Sequence, residues 1–199
     1  MSSQVNNTSD SVVANRLART ESSMPYRILI VVGLAIGAVL GFGGNFIRVG
    51  QAQNVVYVIS SLGIIMGSAL LAAWFARQGR DTVAIGFALL ALAEGILLSG
   101  LFLSANTPTA PAAYASFAAG VALYPVALLL ASIPSAFPLW TRIVGALAAI
   151  PFAAHALLSL LGYAPDPSGP LASIGYILLT LTIVGWIIAV LRAAPLSQR

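Results

Sequence analysis

Six apolar runs of 17 to 23 residues dominate this chain and leave it few ways to fold: 28–44, 55–75, 82–103, 112–133, 139–161 and 171–191. About 20 residues of α-helix cross the hydrocarbon core of a bilayer. Inside that core every backbone N–H and C=O must find a protein partner, so a spanning run is either a helix or a strand of a closed barrel. None of the six runs shows the alternation that a barrel strand needs. The expected fold is all-α, a polytopic membrane protein built as a bundle of six transmembrane helices. Composition points the same way. Hydrophobic residues make up 59% of the chain and charged residues 7%, against roughly 25% charged in a soluble domain.

The arginines set the expected orientation. Arg16, Arg19 and Arg27 precede the first run, Arg77 and Arg80 lie between the second and third, Arg142 is at the start of the fifth, and Arg192 and Arg199 follow the sixth. Only Arg48 falls on the other side. The positive-inside rule then places both termini in the cytoplasm. Trp74, Trp140 and Trp186 are expected near the cytoplasmic interface, and Tyr57, Tyr114 and Tyr163 near the opposite one, as aromatic belts. Residues 1–26 read as a disordered polar cytoplasmic tail, 27–193 as the six-helix transmembrane domain, and 194–199 as a short cytoplasmic tail. An alanine-rich, lysine-free composition points to a bacterial inner membrane.

What the chain lacks is as informative. It has no cysteine and no lysine, and His155 is its only histidine. Disulfides, iron–sulfur clusters, thiolate zinc sites, Schiff-base and P-loop lysines, a bis-histidine haem and a His-Glu-x-x-His metal site are all excluded. No cofactor, metal or catalytic residue is expected. The net charge of +4 comes from arginines scattered at helix ends, so no nucleic-acid surface is expected either.

Two ionisable residues stand inside apolar runs, where charge costs about 3 kcal/mol on insertion scales. Glu94 lies 13 residues beyond Asp81 and His155 lies 13 beyond Arg142. At 1.5 Å per residue both come out about 20 Å from the same face. Should they meet, the pair could hold or pass one proton. Apart, each reads as a neutral group hydrogen-bonded to a neighbouring helix. Pro151, four residues before His155, and Pro125, after Tyr124, are expected helix kinks. Ser68, Tyr176 and Thr180 are candidate lining, within hydroxyl rows that also hold Tyr57, Ser61 and Ser173. Gly33, Gly37 and Gly41 form a small-residue face for close helix packing.

The motifs of two six-helix families fail here. Leu97-Leu98-Ser99-Gly100 lacks the first glycine of the rhomboid protease motif, and no Asn-Pro-Ala box of an aquaporin occurs. Chain length, six helices and the glycine face of the first helix look like the substrate-capture subunits of energy-coupling-factor importers. That resemblance implies docking on a partner through the first helix. Two functions are therefore expected in competition. One is a small proton-linked transporter, with Glu94 and His155 as proton-handling or ligand-contacting groups. The other is a non-catalytic accessory or scaffold subunit of a larger membrane complex. The expected partners are the lipid bilayer, with a second copy or other membrane subunits.

Overall fold

The structure, a computed structural model, describes residues 5–44, 46–47, 50–106, 111–163 and 169–193, with side chains from Met24 onward except at 104–106 and 111. Six helices follow one another: α1 Val5–Gly44, α2 Gly50–Ala76, α3 Asp81–Asn106, α4 Pro111–Ser132, α5 Leu139–Leu160 and α6 Pro170–Arg192. Each carries a span long and apolar enough to cross a membrane, that of α1 being Met24–Gly44. The protein is an all-α, multi-pass membrane protein. The helical backbone of α1 begins at Val5, inside the segment read as a disordered tail. Residues 194–199 lie outside the described residues, as does Arg48.

The spans sit within a few residues of the apolar runs, with the largest difference at α2. It starts at Gly50, five residues before the run at 55, because helical hydrogen bonding continues through the polar turn that hydropathy discounts. Gln53 in that turn donates from Nε2 to the Gly44 carbonyl at 3.2 Å, satisfying an oxygen left open at the end of α1.

Each helix packs against its neighbours in sequence, and α1 closes the circle against α6; among the described residues no other pair of helix backbones adjoins, and contacts across the axis are made by side chains. The result is a ring of six antiparallel neighbours with side chains filling its axis. Small residues close the α1–α2 contact. A Cβ on Gly33 would lie 2.9 Å from the Gly63 carbonyl oxygen, and one on Gly63 2.7 Å from that of Gly33. Ser60 donates to the Gly37 carbonyl at 2.8 Å, and its hydroxyl fills the space beside Gly41. The Gly33–Gly37–Gly41 face is therefore occupied by α2 of the same chain.

The six crossings bring both ends of the bundle to one side, here called the arginine end. Helices α2, α4 and α6 finish there, where cations favour the negative pole of the helix dipole. Arg142 reaches back to α4, donating from Nε to the Ser132 carbonyl at 3.0 Å and from a terminal nitrogen to that of Ile133 at 2.5 Å. Arg27 donates to the Ala193 carbonyl at 2.6 Å, just past α6. The α2–α3 turn needs Gly79 at φ 70°, where the Arg80 N–H returns to the Phe75 carbonyl at 3.0 Å. That is the bonding of a glycine-terminated helix.

Large apolar side chains line the outside, among them Val39, Ile85, Val126, Ile150 and Ile177. In water so much exposed aliphatic surface would drive aggregation; in lipid it is the solvated face. Trp140 is exposed near the arginine end, but Trp186 is completely buried. It packs edge-on to Phe87 at 4.7 Å, so it belongs to the core and not to an interfacial belt.

Candidate functional site

Glu94 reaches the ring axis because it extends the inward stripe of α3. Val83, Phe87, Leu90 and Glu94 recur at i, i+4, i+7 and i+11, and all are buried. The same periodicity turns Val121, Tyr124 and Leu128 inward on α4, and Ala148, Phe152 and His155 inward on α5. Where the α3 and α4 stripes meet, the Tyr124 hydroxyl donates to Glu94 Oε1. The Ser61 hydroxyl on α2 also faces this carboxyl, and Tyr176 on α6 lies close enough to sense its charge. Four helices thus contribute polar groups to one buried centre. Among the described residues no cation joins it: the neighbours acting on the carboxyl are Tyr124 and Ser61.

Aromatic rings wall the centre. Tyr124 stacks on Phe152 with centroids 4.7 Å apart, and Phe152 meets Tyr176 edge-on at 5.5 Å. From the far end of the ring, Gln53, Tyr57 and Ser61 descend α2 at successive turns toward Glu94. Gln53 Nε2 donates to the Tyr57 hydroxyl at 3.3 Å, and Tyr57 lies near Tyr176. Toward the arginine end the axis is filled differently. Phe75, Phe87, Phe137 and Trp186 form a continuous ring cluster with centroid distances from 4.7 to 6.2 Å. Phe137 enters this plug from the short α4–α5 connection.

His155 is not among the groups acting on Glu94, nor Glu94 among those acting on His155. Helix α4 stands between α3 and α5, which do not pack on each other. Helix α5 begins at Leu139, three residues before Arg142, which turns back to cap α4. His155 therefore lies about 24 Å from the arginine end of its helix and about 8 Å from the other. Its ring faces Phe117 at a centroid distance of 5.7 Å. The Nε2 atom is buried with no hydrogen-bond partner.

Of the candidate lining residues, Tyr176 belongs to the Glu94 centre. Thr180 spends its hydroxyl on the Tyr176 carbonyl of its own helix at 2.8 Å. Ser68 is fully buried two turns nearer the arginine end, its Oγ without a partner. Pro125 and Pro151 both stay inside continuous helices, and each is next in sequence to a ring of the wall, Tyr124 or Phe152. Ser99 shares a 2.7 Å hydrogen bond with Ser116 and donates to the Ile96 carbonyl of its own helix.

Tyr124 is the functional residue that sequence reasoning missed as a partner. The available signal was its depth: a tyrosine in mid-membrane needs a polar partner for its hydroxyl. Among the described residues no three His, Asp or Glu side chains gather to hold a metal. No family model, curated protein or solved structure matches this chain.

Proposed function

We propose that the protein is a proton-linked membrane carrier whose working group is the Glu94 carboxyl. The observation that carries this reading is the Tyr124–Glu94 hydrogen bond at the meeting point of four helices, with no cation beside the carboxyl among the described residues. A buried carboxyl without a countercharge rests in its neutral form. Losing that proton creates a charge that only a cation or entering water can offset, so the centre has two states that differ by one proton. Tyr124 holds the carboxyl in place in both. The polar row from Gln53 to Ser61 is the proton's route to the far end. The arginine distribution supports cytoplasmic termini, and the composition supports a bacterial inner membrane.

The accessory-subunit alternative was motivated by the glycine face of α1. That face is filled by Gly63, Ser60 and Gly67 of α2, which favours the carrier.

Infrared difference spectroscopy on the purified protein tests this reading. A neutral-carboxyl C=O band should be lost when the buffer is shifted from acidic to alkaline, and the Glu94→Gln variant should lack that change. A Glu94 band that never responds to buffer pH would overturn proton linkage.

A further inference from the structure

We infer that the Glu94 centre takes an organic cation, an ammonium-type group carrying apolar substituents, in exchange for the Glu94 proton and reached from the far end of the ring. This inference rests on the proton-linked reading above and adds the substrate class and the side of access.

The sign of the charge comes first. Glu94 is the only acidic residue within the interior of the six spans, since Asp81 sits at the first position of α3. The arginines described at the helix ends, Arg27, Arg77, Arg80, Arg142 and Arg192, all belong to the arginine end. The titratable groups acting with Glu94 are Tyr124 from α4 and Tyr176 from α6, and Tyr57 of α2 lies near Tyr176 with its ring against Gly44 of α1. His155 faces Phe117 instead. At the centre an anion would meet a carboxyl and tyrosine hydroxyls, and among the described residues no arginine stands beside them; Arg48, on the far side by sequence, lies outside the described residues. A cation would meet a compensating carboxylate.

The surroundings then select the kind of cation. Calcium takes six to eight oxygen ligands and magnesium keeps an octahedral, largely hydrated shell. The centre offers one carboxyl and a few hydroxyls, fewer oxygens than such ions require. It offers instead a contiguous wall of rings, Tyr124 on Phe152 and Phe152 on Tyr176. Ring faces attract cations that shed their water readily, and aromatic cages are the usual way to recognise alkylated ammonium groups. One carboxylate against several rings matches a charged head with apolar arms.

Access follows from the contrast between the two ends. On the far side, Gln53, Tyr57 and Ser61 give a polar face leading to the carboxyl. On the arginine side, Phe75, Phe87, Phe137 and Trp186 close the axis. Glu94 is 4% exposed and Tyr124 fully buried, so entry requires the ring wall to part. The wall is mounted where the backbone is weakest, because Pro125 and Pro151 each remove one helical hydrogen bond beside a wall ring. The exchange balances in charge: the cation enters, Glu94 releases one proton toward the far end, and the carboxylate stays behind as the counterion.

Tetraphenylphosphonium, an aromatic cation, is the probe, and tetraphenylborate, an anion of the same shape, is its control. Both are titrated calorimetrically into the purified full-length protein in weakly buffered detergent with a pH indicator. The expected result is saturable binding of the phosphonium alone, tighter at alkaline pH, with one proton released per cation bound. Glu94→Gln should abolish the proton release. Tyr176→Ala should weaken binding by about tenfold, the worth of a desolvated cation–ring contact. Equal binding of the borate, or binding without proton release, overturns the cation assignment. Should the Glu94 infrared band respond to pH while no cation binds, the substrate class is wrong and proton linkage stands. A band that never responds removes both, and this readout does not depend on how well any variant folds.

Discussion

The two halves of the ring axis solve the same packing problem in opposite ways. Near the arginine end, Phe75, Phe87, Phe137 and Trp186 fill the centre with rings from two adjacent helices, a loop and α6. Toward the far end, Glu94, Tyr124, Tyr176, Ser61 and Tyr57 place polar atoms where apolar ones would be cheaper. In a bilayer, apolar packing gives stability and a barrier to ions, whereas buried polar groups cost stability and are retained where they act. On the function proposed above, one half serves stability and closure and the other carries the chemistry. Substitutions in the two halves should separate accordingly.

The largest effect is expected at Phe87, which touches Phe75, Phe137 and Trp186 and is completely buried. Phe87→Ala leaves a cavity at the middle of the plug and should cost about 3 to 5 kcal/mol, measured by unfolding in mixed detergent micelles. It should leave the pH response of the Glu94 band in place in the folded fraction. Loss of that response in folded protein would show that the halves are not independent.

Phe137→Ala comes next. Phe137 is held by a connection and not by a helix, so its surroundings can relax, and the loss of stability should be on the order of 2 kcal/mol. The more telling readout is permeability. In vesicles loaded with a pH dye, this variant should pass protons faster than the wild type, because it opens the closed end onto the polar one. Unchanged leakage would mean that the barrier lies elsewhere along the axis.

Glu94→Gln should change stability by only about 1 kcal/mol, since the amide oxygen can still accept from Tyr124. It should nonetheless remove the infrared response. A small stability change with complete loss of titration is the opposite of the Phe87 result. A large destabilisation would make Glu94 a structural group and blur the contrast between the halves.

What could be read from the sequence follows the same division. The spans were legible because bilayer thickness fixes their length, and Gly33 with Gly37 announced a close helix contact from spacing alone. Glu94 was legible as a polar group in an apolar run. Which faces meet was not. Depth along a helix is countable, but rotation and neighbour are set by packing, so Tyr124 went unrecognised as the partner of Glu94. Trp186 was assigned to a belt because depth alone cannot tell lipid from core. Counting places Glu94 and His155 at a similar depth but cannot say whether their helices adjoin, and α3 and α5 do not.

His155 gives the smallest and most discriminating test. It lies in the far half with an unpartnered Nε2 and an aromatic neighbour, Phe117, and it is 2% exposed. A buried polar atom without a partner weakens a fold, and replacing it by an apolar group of similar size is neutral or favourable. His155→Leu should therefore leave thermal stability unchanged or raise it, by up to about 1 kcal/mol. The pH response of the Glu94 band should survive, because α4 separates the two side chains and Tyr124 is the carboxyl's direct partner. A substitution that abolished the response without unfolding the protein would make the only histidine part of the proton route. The polar half would then extend across α4 to α5 instead of ending at the Tyr124–Glu94 bond.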